Sequence, residues 1–87
     1  MTTIIKFWAP WCKPCKEYQV VWDEATEQFT DVHFQEKNID SDIEARGYLH
    51  AILGKHQIPT TLFIYEDGTT DVAKGSLTLG QIERRLK

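Results

Sequence analysis

Thr3 to Ala9 (TIIKFWA) is a short apolar run of β-branched and aromatic residues stopped by Pro10, a length and composition that predict a buried strand rather than a helix. Beyond Cys12 the period changes. Tyr18, Trp22, Ala25 and Phe29 follow at spacings of 4, 3 and 4, which is one face of an amphipathic helix. His33 to Asp40 (HFQEKNID) sets Phe34 among polar neighbours up to Ile39 and reads as a second strand. A second helix is predicted from Asp42 to about Leu53, with Ser41 or Asp40 as its cap and Gly54 near its end. Ile58 to Tyr65 is strongly β-forming, and Glu66-Asp67-Gly68 turns it into Thr70 to Lys74, a hairpin partner that Gly75 breaks. From Leu77 to Lys87, Leu79, Ile82 and Leu86 share one side of a final short helix. The order is β-α-β-α-β-β-α. A right-handed crossover then places helices on both faces of a sheet whose first strands are parallel.

At 87 residues the chain holds one compact unit, since domains commonly run to roughly 100 to 200 residues. A formal charge of -3 argues against a phosphate-backbone footprint, so nucleic acid is not the expected partner. The opening apolar stretch is broken by Lys6 and falls far short of the roughly 20 residues that cross a bilayer, so the expectation is a cytoplasmic protein without a membrane span.

Only two cysteines occur, in Cys12-Lys13-Pro14-Cys15, where a strand hands over to a helix. The unpaired N–H groups and positive dipole end of a first helical turn favour a thiolate at Cys12, and Lys13 and Lys16 add positive charge. Pro14 falls in that turn, where its missing N–H costs nothing. Cys12 is placed to attack a partner's disulfide, with Cys15 one turn on to resolve the mixed disulfide. Two other readings compete. A structural disulfide closing so small a loop would stabilise by only about 2 kcal/mol. A zinc site would need two further ligands; His50 and His56 have a finger-like spacing, but the gap from Cys15 is much longer than a finger allows. No cofactor and no metal are expected beyond the redox-active cysteine pair.

The segment Phe7-Trp8-Ala9-Pro10-Trp11-Cys12-Lys13-Pro14-Cys15-Lys16 resembles the active-site segment of the thioredoxin family, F-W-A-x-W-C-G-P-C-K, at every position but the glycine, here Lys13. Asn38-Ile39-Asp40, Ile58-Pro59-Thr60 and Gly75 follow as further landmarks in order. The resemblance implies an α/β minimal thioredoxin fold over residues 1–87, a four-stranded mixed sheet flanked by three helices, without the N-terminal strand and helix of full-length members. It further implies a thiol-disulfide oxidoreductase in which Cys12 attacks and Cys15 resolves, with a cis bond before Pro59. The substrate would lie against Trp11, Lys13, Pro14, Ile58, Pro59 and Gly75, with Trp8 also flanking the cysteines. Implied partners are protein disulfides such as that of ribonucleotide reductase, with thioredoxin reductase as electron donor; a monomer is expected. A glutathione-dependent reductase of glutaredoxin type and a redox-toggled binding module are the alternatives, although W-C-K-P-C is unlike the glutaredoxin C-P-Y-C.

Two departures from the family bear on tuning. Where thioredoxins place a buried Asp as proton acceptor for the resolving cysteine, and a Lys loosely paired with it, this chain has Lys6 and Glu36. The exchange predicts a reversed pair on neighbouring strands beneath Cys15, with Glu36, through water or directly, serving as acid/base and its carboxylate buried; the alternative is that both are solvated strand-edge charges. Lys13 in place of Gly predicts a redox potential raised on the order of 30 mV if its charge shifts the Cys12 thiolate by one pKa unit.

Overall fold

In the computed structural model, which describes residues 1–55 and 57–87, seven elements follow the predicted order. They are β1 (Thr3–Trp8), α1 (Lys13–Gln28), β2 (His33–Asn38), α2 (Ile43–Leu53), β3 (Thr60–Ile64), β4 (Thr70–Lys74) and α3 (Leu79–Leu86). The sheet runs β2-β1-β3-β4, with β1 parallel to β2 and antiparallel to β3, and β4 antiparallel to β3. The period-2 alternation of β1 divides its side chains between two apolar layers. Ile4 joins Tyr18, Trp22 and Ala25 of α1, Phe63 of β3 and Ile82 of α3. On the other face Phe7 packs with Ala45 and Leu49 of α2, Ile39 and Leu62. Lys6 follows Ile4 onto the α1 face, and among the described residues it is the one charged side chain that is buried.

Several boundaries differ from the sequence expectation, each for a local reason. β1 ends at Trp8 because the Ala9 carbonyl accepts the Cys12 N–H at 3.1 Å, turning the chain at Pro10. β2 stops at Asn38, whose side-chain oxygen takes the Asp40 N–H at 2.9 Å while its carbonyl takes the N–H groups of Ser41 and Asp42. That turn spends Asp40 and Ser41, so neither caps α2. Asp42 does, accepting the Ala45 N–H at 3.0 Å. β3 begins at Thr60 rather than Ile58, since Pro59 has no N–H to give a ladder. α3 begins at Leu79 under a capping box of Thr78 and Gln81, and the buried Leu77 before it packs in the same cluster as Ile82, a hydrophobic staple.

Candidate functional site

The site is assembled at the end of the sheet where β1 runs into α1. Cys12 is the N-cap of α1, in extended backbone, and its sulfur accepts the Cys15 N–H at 3.2 Å. Pro14 stands within the first turn, as the sequence predicts. Cys12 and Cys15 form a disulfide, with Cα atoms 5.2 Å apart, and are 4% and 3% exposed. Lys13 and Lys16 are exposed beside them, and the first turn of α1 carries no acidic residue. The helix terminus therefore keeps its positive potential at the sulfurs.

Strand register brings the remaining predicted residues to the same end. Phe7 pairs with Thr60 across β1 and β3, so the Ile58-Pro59 bond, which is cis, comes beside the end of β1 that leads to Cys12. Thr60 pairs with Lys74, and the next residue, Gly75, donates its N–H to the Pro59 carbonyl at 2.8 Å. Gly75 has φ +81, a conformation few side chains accept, so it ties the end of the hairpin to the cis bond as well as ending β4. Pro59 is buried, and Ile58 is half-buried against the α2-side core. Trp11 is 65% exposed and its indole N–H donates to Asp40 Oδ2 at 2.9 Å, which fixes the exposed ring in place. Trp8 lines a cleft of about 220 Å³ together with Ala9, Pro10, Cys15, Lys16 and Gln19.

Lys6 and Glu36 face each other in the parallel register of β1 and β2, and Lys6 Nζ lies 2.9 Å from a Glu36 carboxylate oxygen. The pair is strongly asymmetric. Lys6 is 0% exposed whereas the Glu36 side chain is 42% exposed, so the expectation of a buried carboxylate is corrected. β2 is an edge strand, and its outer side has no neighbouring strand among the described residues. The ammonium also donates to Gln19 Oε1 and lies 5.2 Å from the Trp22 ring centre. These contacts offset part of the desolvation that a buried cation suffers.

Reading α1 by its apolar positions alone missed Gln19. Its signal was present: position 19 lies four residues after Cys15 and three before Trp22, on the face turned to the sheet, opposite Lys6. Asp40 was quoted as a landmark without its role as partner of Trp11. Tyr18, on the apolar face of α1, also carries a polar contact: its hydroxyl shares a 2.9 Å hydrogen bond with Thr61. Burial pushes the Tyr18 phenol up from its ordinary value, so it stands neutral near the site at physiological pH.

Among the described residues no group of three or more His, Cys, Asp or Glu could hold a metal ion. The zinc pairing considered for His50 and His56 involves His56, which lies outside the described residues. No helix among the described residues is long and apolar enough to cross a membrane.

A family model described as thioredoxin matches residues 1–87. Thioredoxin 1 of Synechococcus elongatus is 35% identical over 65 residues, covering 75% of this chain and 57% of that protein. The thioredoxin of Haemophilus influenzae is 30% identical over 79 residues, covering 91% of this chain and 71% of its own length. The chain thus spans little more than half the length of some curated relatives it matches. Among solved structures, chloroplastic thioredoxin z superposes with a TM-score of 0.83 at 24% identity, covering 99% of this chain and 75% of that one. Fasciola hepatica thioredoxin does so with 0.77 at 22%, covering 98% and 77%. At such identities the likeness shows the fold, which is the minimal β-α-β-α-β-β-α form expected from the sequence. The family model over the whole chain, together with a relative that aligns over most of both chains, establishes that the chain belongs to the thioredoxin family.

Proposed function

We propose that this chain is a thiol-disulfide oxidoreductase that reduces protein disulfides by dithiol-disulfide exchange. The observation that carries the reading is Cys12 capping α1 with Cys15 bonded to it one turn on. The Cys12 thiolate attacks one sulfur of a substrate disulfide; the other sulfur leaves as a thiolate and takes up a proton. Cys15 then gives up its proton and attacks the Cys12 sulfur. The Cys12–Cys15 bond forms, the mixed disulfide breaks, and two electrons have passed to the substrate, now a dithiol. Thioredoxin reductase is the proposed donor that returns two electrons and two protons. Trp11, Lys13, Pro14, Ile58, Pro59 and Gly75 form the docking surface, and clients such as ribonucleotide reductase, a cytoplasmic setting and a monomeric state complete the reading.

Glu36, acting through water, is the acceptor for the proton that Cys15 releases, and its exposure gives that proton a path to solvent. A Glu36→Gln variant is expected to slow the resolving step at neutral pH and to recover with added buffer base. An unchanged pH dependence removes Glu36 from the role.

The test of the main reading is a Cys15→Ser variant, which should remain covalently attached through Cys12 to client proteins that mass spectrometry identifies. Adducts that form with Cys12→Ser and not with Cys15→Ser would reverse the two roles. Turnover with NADPH and thioredoxin reductase supports the proposal, whereas turnover with glutathione alone moves the chain to the glutaredoxin type.

A further inference from the structure

The buried ammonium of Lys6 has two polar partners that pull it in different directions. Glu36 draws it toward the exposed edge of the sheet. Gln19 draws it toward α1, and Gln19 lines the same cleft as Cys15, one helical turn away. The other end of the Gln19 amide is fixed as well, since its NH₂ donates to Asp23 Oδ1 at 2.8 Å. The amide is therefore oriented with its oxygen on Lys6.

From these contacts we propose that Gln19 is a positioning residue: it holds the Lys6 ammonium on the Cys15 side of the Lys6–Glu36 pair, where that charge favours the Cys15 thiolate in the resolving step. The inference rests on the assignment of Cys12 as attacker and Cys15 as resolver. A fixed cation that is itself buried, as Lys6 is, acts on a nearby forming anion more strongly than a surface charge. The other groups facing this region are few. From α1 come Asp23, which Gln19 engages, the exposed Lys16 at the cleft, and the Trp22 ring beneath the ammonium. From β3 comes Thr61, opposite Lys6 in register and bonded to the neutral Tyr18 hydroxyl, and from β2 comes Glu36. None of these is a second buried cation, so beyond the fixed contribution of the α1 terminus the pull on Cys15 depends on where the Lys6 ammonium is held.

The measurement separates the two chemical steps. Reduced protein is mixed with 5,5′-dithiobis(2-nitrobenzoate): Cys12 attacks the reagent's disulfide and releases one coloured thiolate, then Cys15 attacks Cys12 and releases the second. The rate of the second release is followed against pH. In Gln19→Leu the ammonium relaxes toward Glu36, and a Cys15 thiolate about tenfold less populated at neutral pH is expected. A more basic thiolate is intrinsically more nucleophilic, with a Brønsted coefficient of about 0.5, which returns about threefold. The second release should therefore slow about threefold at neutral pH and become about threefold faster on the alkaline plateau. Such a crossing of profiles is not produced by local loosening, which lowers the rate at every pH.

Gln19→Glu separates the charge of residue 19 from its hold on Lys6. It keeps an anchor for Lys6 but adds an anion beside Cys15, so its profile should move to higher pH at least as far as that of Gln19→Leu. In a Lys6→Met background, Gln19→Leu should have no further effect on the profile. A further shift of the profile by Gln19→Leu in the Lys6→Met background, or a uniform fall with Gln19→Leu at all pH values, overturns the proposal. If instead the native protein and Cys15→Ser release the second thiolate equally fast, the assignment of Cys15 as resolver is what fails.

Discussion

Tyr18 and Thr61 are both fully buried, and each hydroxyl is the other's partner. Replacing Tyr18 by Phe leaves the Thr61 hydroxyl without that partner, a loss of about 1 to 3 kcal/mol at neutral pH. The pH dependence has a definite sign. Burial raises the folded-state value of Tyr18 above the ordinary 10.0, so folding favours the neutral phenol. That contribution is fully present below pH 10.0 and is lost as pH rises through the folded value. The stability gap between native protein and Tyr18→Phe, read from urea midpoints, should accordingly narrow under alkaline conditions. A gap that is constant with pH would mean that the phenol ionises without cost. At the acid end the exposed Asp67 carboxylate, held below its ordinary value by hydrogen bonds from Thr69, contributes in the opposite sense: what it adds is lost as pH falls through its folded value.

At the scale of the elements, α2 has one glycine inside it and one at its C-cap, with opposite expectations. Gly47 lies within the helix, and a Cβ added there meets nothing within 4 Å. Gly47→Ala should stabilise by about 0.5 to 1 kcal/mol through helix propensity and a less flexible unfolded chain. Gly54 also has open space around it, but it closes the helix at φ +73. Gly54→Ala should destabilise by about 1 to 2 kcal/mol for backbone reasons alone. Thermal melts of the two variants should shift in opposite directions, and a common sign would discard this account of the cap. Gly54 was legible in the sequence because a glycine after a periodic run announces a helix end. The cap at the other end was not, because Asp40, Ser41 and Asp42 are all good N-cap types and only the Asn38 turn decides among them. The cysteine motif was legible for the same reason as Gly54, its spacing and its neighbours being local. The Lys6–Glu36 pair needed strand register, which the positions of the family supplied. Gln19 needed the distance between a helix face and a strand, which no local pattern encodes.

At the scale of the whole molecule, the fold does not hang on its disulfide. Cys12 and Cys15 close a loop with a sequence separation of 3, while the two apolar layers draw on every helix and on the sheet between them. In the loop-entropy view so short a ring restricts the unfolded chain by about 2 kcal/mol. A protein that alternates between dithiol and disulfide benefits from that small figure, because neither redox state is then far from the other in stability. The expectation can be tested with a Cys12→Ser/Cys15→Ala variant, since serine at the N-cap preserves an acceptor for the residue-15 N–H and alanine suits the buried position. It should remain folded, with the cooperative melt of the native protein and a stability within about 2 kcal/mol of the reduced form, while all disulfide reduction is lost. If the variant does not fold, the cysteine pair is a structural staple and the proposed chemistry loses its main support. If it folds and still fulfils the protein's role in the cell, the docking surface around Trp11 and Pro59 outweighs the thiols, and the binding-module reading replaces the reductase.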